Sequence, residues 1–250
     1  MQAYLTLTRR ELSSYFMSMT GYIIIAAALF LLGFSFIDLL SQLQREPTPM
    51  PVTELFYMTW FFWLILMVTT PVITMRLFAL EKFSGTFETL MTAPVTDLQV
   101  VLSKFTAGMV FYLVMWLPLL GCILVVRHYT SDPGAVDAGV IGATFLGIGL
   151  VGSLFISLGC FASALTRSQV TAAVISLMFG SSLFLLAYLA DQAQDLGDWR
   201  SRLLSCFVFF DYMHDFARGV VDTRAVVLMG SISLFFLFLT LRIVESRRWK

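Results

Sequence analysis

Apolar positions dominate the chain in long unbroken stretches, without alternation. Six runs stand out: 22–40, 55–75, 106–126, 138–165, 170–190 and 225–241. Each is close to the ~20 mostly apolar residues that cross a bilayer as a helix. A membrane barrel would show shorter segments of about 10 residues with alternating hydrophobicity. The pattern therefore predicts an all-α membrane protein with six transmembrane helices. Only Asp38, near the end of the first run, carries a charge inside any of them. The first run has a 21-residue flank before it and no small-residue cleavage site after it, so it reads as a span and not as a removable signal peptide.

Between the runs the pattern changes period. In residues 1–20, Leu12, Tyr15, Phe16 and Met19 recur at helical spacing, and Thr8 with Glu11 has the spacing of a capping box. This predicts an amphipathic helix at the lipid interface, or a plain extension of the first span. Residues 77–95 are too polar to span. Phe83, Phe87, Leu90 and Met91 would share one helix face there, and Pro94 disfavours continuation. Thr96 and Gln99 form a second capping box, so a new helix starts there and runs through Lys104 into the third span. Residues 191–224 begin acidic and become aromatic, which predicts short interfacial or re-entrant helices outside. Many glycines in 138–165 predict close helix packing. Pro71 and Pro118 predict kinks in the second and third spans.

Composition agrees with the pattern. The chain has 250 residues, 58% of them hydrophobic and 13% charged, with a mean hydropathy of +0.85. Soluble domains carry roughly 25% charged residues. A soluble enzyme, a disordered chain and a basic nucleic-acid binder are excluded. The net charge is zero, yet it is unevenly placed. With the N-terminus inside, ten of the 16 Lys and Arg face the cytoplasm, together with five of the 16 acids. By the positive-inside rule this puts both termini in the cytoplasm. The three cysteines, Cys122, Cys160 and Cys206, lack metal-ligand spacing, and one histidine beside Asp211 and Asp215 makes no metal site.

The 77–95 segment suits docking on a soluble partner through its apolar face. A helix lying flat on lipid is the alternative, but such faces are usually rich in Lys and Arg, and only Lys82 is present against Glu81 and Glu88. The residues Glu81, Gly85, Thr86, Glu88, Leu90, Pro94 and Val95, placed between spans two and three of six, resemble the permease subunits of ABC-2-type ABC transporters, and most of all the gliding-motility type. Further motifs lie in the same order along the chain: Arg10 to Phe16, Ser163 to Thr166, Asp215 to Asp222 and Leu241 to Trp249.

The resemblance implies a type V exporter-like half-transporter in a bacterial inner membrane. It makes 77–95 a coupling helix seated on a nucleotide-binding ATPase subunit, with Glu81, Gly85, Thr86, Glu88, Leu90 and Pro94 as docking residues and the glutamates meeting basic groups on that subunit. It makes 1–20 the connecting helix, carrying Arg10, Glu11, Tyr15 and Phe16. A second permease copy, identical or different, completes the membrane part. The chain has no Gly-Lys and no Gly-Gly pair, so it lacks both a Walker A loop and an ABC signature loop. It binds no cofactor, and ATP and Mg belong to the partner. Export from the cytoplasm is the leading expectation. A non-transporting ABC complex that passes force across the membrane is the alternative, and a secondary transporter is disfavoured by the uncharged spans.

Overall fold

The computed structural model describes residues 2–45, 52–87, 95–129, 137–192 and 209–246. Among these residues the chain is helical, and six helices are long and apolar enough to cross a membrane. Helix α1 (Gln2–Phe16) precedes the first crossing helix, α2 (Met19–Arg45). A short α3 (Val52–Met58) leads into α4 (Trp60–Thr74), which continues through a turn into α5 (Ala79–Ser84). The remaining crossing helices are α6 (Asp97–Tyr129), α7 (Ala138–Leu165), α8 (Gln169–Gln192) and α10 (Thr223–Ser246), with the short α9 (Phe209–Ala217) before the last. Chain order puts α1 and α5 on one face of the bundle, here the N-terminal face, and α3 and α9 on the distal face.

Helix α7 is the axis. It packs against α10, α8, α9, α4 and α6, and it also reaches α3 and α5. Its most apolar stretch is 67% buried inside the protein, against 28% for α2 and 22% for both α8 and α10. The small residues explain this. In lipid, apolar area alone does not drive helices together, so close backbone approach and dispersion must. At Gly152 a Cβ would sit 2.2 Å from the Tyr112 ring of α6, and at Gly159 one would sit 2.1 Å from Thr74 Oγ1 of α4. Any side chain at either position would push a neighbouring helix away.

Several local expectations change. Residue 55 does not open the second span. Thr59 is extended, at φ −68° and ψ 130°, and separates α3 from α4. Its hydroxyl donates to Phe56 O and meets Ser35 Oγ of α2, which fixes the break. Helix α1 begins before Thr8, so Thr8 is internal and its hydroxyl bonds back to Tyr4 O. The Thr96–Gln99 box does form, with reciprocal bonds of 3.3 and 3.2 Å. Pro71 and Pro118 both lie inside helices. In the 191–224 segment, Phe216 is fully buried and its ring lies where a side chain at Gly147 would go, so it packs on α7. Phe207 lies outside the described residues.

Candidate functional site

Helix α5 is only six residues long, so its stability must come from what holds it. Its first residues lack a side-chain cap of their own. Ser163, near the end of α7, supplies one: its hydroxyl accepts from Phe78 N and Ala79 N, both at 3.1 Å, and donates to Met75 O. Lys82 turns inward and donates to Ala164 O. Its ammonium thereby neutralises the carbonyl end of α7, where the helix dipole favours a cation. The helix stops at Gly85, whose φ of 75° is left-handed and disfavours any residue with a Cβ.

That stop corrects the predicted face. Phe83 and Phe87 do not share a side of one continuous helix. Phe83 is 77% exposed, while Phe87 is 6% exposed and lies beneath the Lys82 ammonium. Thr86 is exposed and its hydroxyl meets Ser84 Oγ at 2.8 Å. Glu88, Leu90 and Pro94 lie outside the described residues.

The other side of α5 faces α1 and α6. Arg10 Nη2 lies 2.7 Å from Glu11 and 3.1 Å from Glu81. Lys104 Nζ lies 3.2 Å from Glu11 and 3.0 Å from Glu81. Each cation thus meets both acids, and the four charges cancel. The Lys104 contact with Glu81 Oε2 is ionic and lacks hydrogen-bond geometry. Lys104 has a side chain only 2% exposed, with its ammonium also over the Phe78 ring at 5.4 Å. Such a charge needs neutralising partners, and α1 and α5 provide one each. The hydrogen bond to Glu11 raises the Arg10 pKa above its ordinary value, with desolvation opposing and both glutamates adding. Glu81, expected to reach a partner's basic groups, is therefore already paired within the chain.

Tyr15 and Phe16 fix the same helix. The Tyr15 hydroxyl donates to Ile73 O at 2.8 Å, and its ring stacks on Phe111 at 4.9 Å. Phe16 meets Phe111 edge-on. Tyr4 Oη bonds Thr106 Oγ1 at 2.8 Å. Helix α1 is thus seated on α6. A cleft of about 550 Å³ opens between α1, α5 and the start of α6, lined by Arg10, Ser14, Arg76, Glu81, Thr86 and Lys104.

The sequence pattern singled out Arg10, Glu11, Tyr15 and Phe16 on one segment and Glu81, Gly85 and Thr86 on another. The structure brings Arg10, Glu11 and Glu81 into one network. Lys104, Ser163 and Lys82 escaped notice as site residues. A lysine just before an uncharged run is a usable signal, because its burial demands a carboxylate from elsewhere.

On the distal face Glu54 of α3 is 2% exposed at its side chain. His214 Nε2 lies 2.9 Å and Arg218 Nε 2.8 Å from the same oxygen, Oε1. Thr53 donates to Ala217 O at 2.7 Å, tying α3 to the end of α9. His214 is thus a partner of a buried acid. Among the described residues no His, Cys, Asp and Glu cluster is arranged to hold a metal.

The geometry is that of a short helix braced by a membrane bundle, and the sequence carries neither a Walker A nor an ABC signature motif. Residues 12–193 match the family model for the ABC-2 family transporter protein. The chain belongs to the ABC-2 transporter family. No curated protein matches it. As an ABC-2 permease it is a multi-pass membrane component of an ABC system, it associates with an ABC ATPase subunit, and it is not itself the ATPase.

Proposed function

We propose that the permease is the transmembrane half of an ATP-driven exporter, with α5 as the coupling helix on the ATPase. The observation that carries this is Phe83: a large apolar side chain, 77% exposed, on a helix clamped to α7 by Ser163 and Lys82 and to α1 and α6 by Glu81. An exposed aromatic on a rigid mount suits a groove on a soluble partner. Docking residues on this reading are Gly85, Thr86, Glu88, Leu90 and Pro94 as well, and Glu81 acts inside the permease as the link to α1. The N-terminal face is cytoplasmic in a bacterial inner membrane, and ATP with Mg binds the partner. Two permease copies and two ATPases form the unit. Closure of the ATPases pushes α5, and α7 carries the displacement to the distal face.

Phe83→Asp tests this. The variant is expected to fold and insert normally while losing most co-purification with the ATPase and most ATP-dependent substrate movement in proteoliposomes. Unchanged assembly and transport would sink the assignment. ATPase stimulation by the wild-type permease with no movement of any substrate would favour the alternative, a gliding-type complex that transmits force.

A further inference from the structure

We propose that the Arg76 end of the cleft binds the phosphate of an anionic phospholipid from the leaflet on the N-terminal face. The inference rests on the membrane-spanning fold and not on ATP coupling. In the cleft, the charges of Arg10 and Lys104 are cancelled by Glu11 and Glu81. Arg76 is left over. Among the described residues it forms no ion pair, and its Nη1 donates only to hydroxyls, Ser18 Oγ at 2.9 Å and Thr20 Oγ1. Neutral acceptors orient a guanidinium without neutralising it, so the site retains a full positive charge. Arginine's planar fork suits phosphate oxygens.

The position of this charge selects the ligand. Arg76 follows the end of α4 at Thr74, Ser18 lies in the elbow between α1 and the crossing helix α2, and Thr20 lies in the first turn of α2. All three therefore lie where a bilayer's hydrocarbon gives way to headgroups. The elbow alternates: Met17 and Met19 are 85% and 81% exposed, while the hydroxyls between and after them turn to Arg76. Tyr22 and Ile23 extend the exposed apolar surface along α2. A lipid at this elbow would lay its chains on the methionines, Tyr22 and Ile23, with its phosphate at Arg76. A soluble anion would use the charge and leave that apolar surface unused.

Native mass spectrometry of the purified permease, after mild delipidation and addition of phosphatidylglycerol or phosphatidylcholine, tests the site. A favourable cation near an anionic headgroup predicts about fivefold stronger retention of phosphatidylglycerol. Arg76→Gln removes that preference and Arg76→Lys keeps part of it. Equal retention of the two lipids by the wild type overturns the proposal, as does full preference in Arg76→Gln. Displacement of phosphatidylglycerol by millimolar inorganic phosphate also overturns it, since that marks a site for soluble anions. Should Arg76→Gln fail to fold, the wild-type lipid comparison and Arg76→Lys still decide. Transport needs the assembled complex and lipid retention does not, so the two readings fail separately.

Discussion

The two faces of the bundle hold their charges in different ways. On the N-terminal face two cations and two acids are cross-paired, so every member has two partners. On the distal face one buried acid serves a histidine and an arginine through a single oxygen. The first arrangement is redundant: losing one acid leaves Lys104 with the other. The second is a star with Glu54 at its centre. Its two partners, His214 and Arg218, however, are 27% and 48% exposed and can turn to water. Redundancy suits a junction of three helices, because no single acid is indispensable to Lys104. A star suits a simple fastener between α3 and α9.

The sharpest way to break this comparison is to exhaust the redundancy. Glu11→Gln with Glu81→Gln strands a buried Lys104 ammonium, and the double variant should lose about 3–5 kcal/mol. Each single change should cost about 1 kcal/mol, so the double variant should exceed the sum of the singles by about 1–3 kcal/mol. Unfolding in mixed micelles with rising dodecyl sulfate measures this, and simple additivity would mean the four charges are not one network. Next in size, Glu54→Gln should cost about 1–3 kcal/mol. Hydrogen exchange should rise in α3 and α9 while α1 stays protected, and loosening of both faces would remove the distinction.

The smallest effect concerns Tyr15. Tyr15→Phe should cost about 1 kcal/mol at neutral pH through the bond to Ile73 O. Burial pushes the Tyr15 phenol well above its ordinary value. An unfolded tyrosine titrates near 10. The folded state therefore favours the protonated form, and its contribution is complete below about pH 10 and falls as pH rises beyond it. Wild type should lose α1 docking to alkali more steeply than Tyr15→Phe, measured by fluorescence of a label on α1. Parallel curves would contradict the role of the phenol.

What the sequence revealed follows from how far apart the interacting residues lie. The six spans, the glycine-rich packing helix and the Thr96 cap depend on composition or on neighbours three or four residues away, and their patterns are visible in a string of letters. The bond of Ser163 to α5, the Lys104 network and the Glu54 star join residues tens to more than a hundred positions apart. No local period encodes such pairs. The break at Thr59 was hidden for a related reason: 55–75 is uncharged and mostly apolar, and the hydroxyl contact with Ser35 that supports the break comes from another helix. The Phe83–Phe87 face failed because Gly85 outweighed the spacing around it.

The star on the distal face also bears on how the chain is made. Glu54 is synthesised 164 residues before Arg218. At usual elongation rates of about 5–20 residues per second the gap is on the order of ten seconds or more. Throughout it α3 carries a carboxylate without His214 and Arg218, and four crossing helices emerge before the segment that supplies them. The fastening of α3 is therefore among the late events of biogenesis, and a permease interrupted before α9 is a bundle with α3 unlatched.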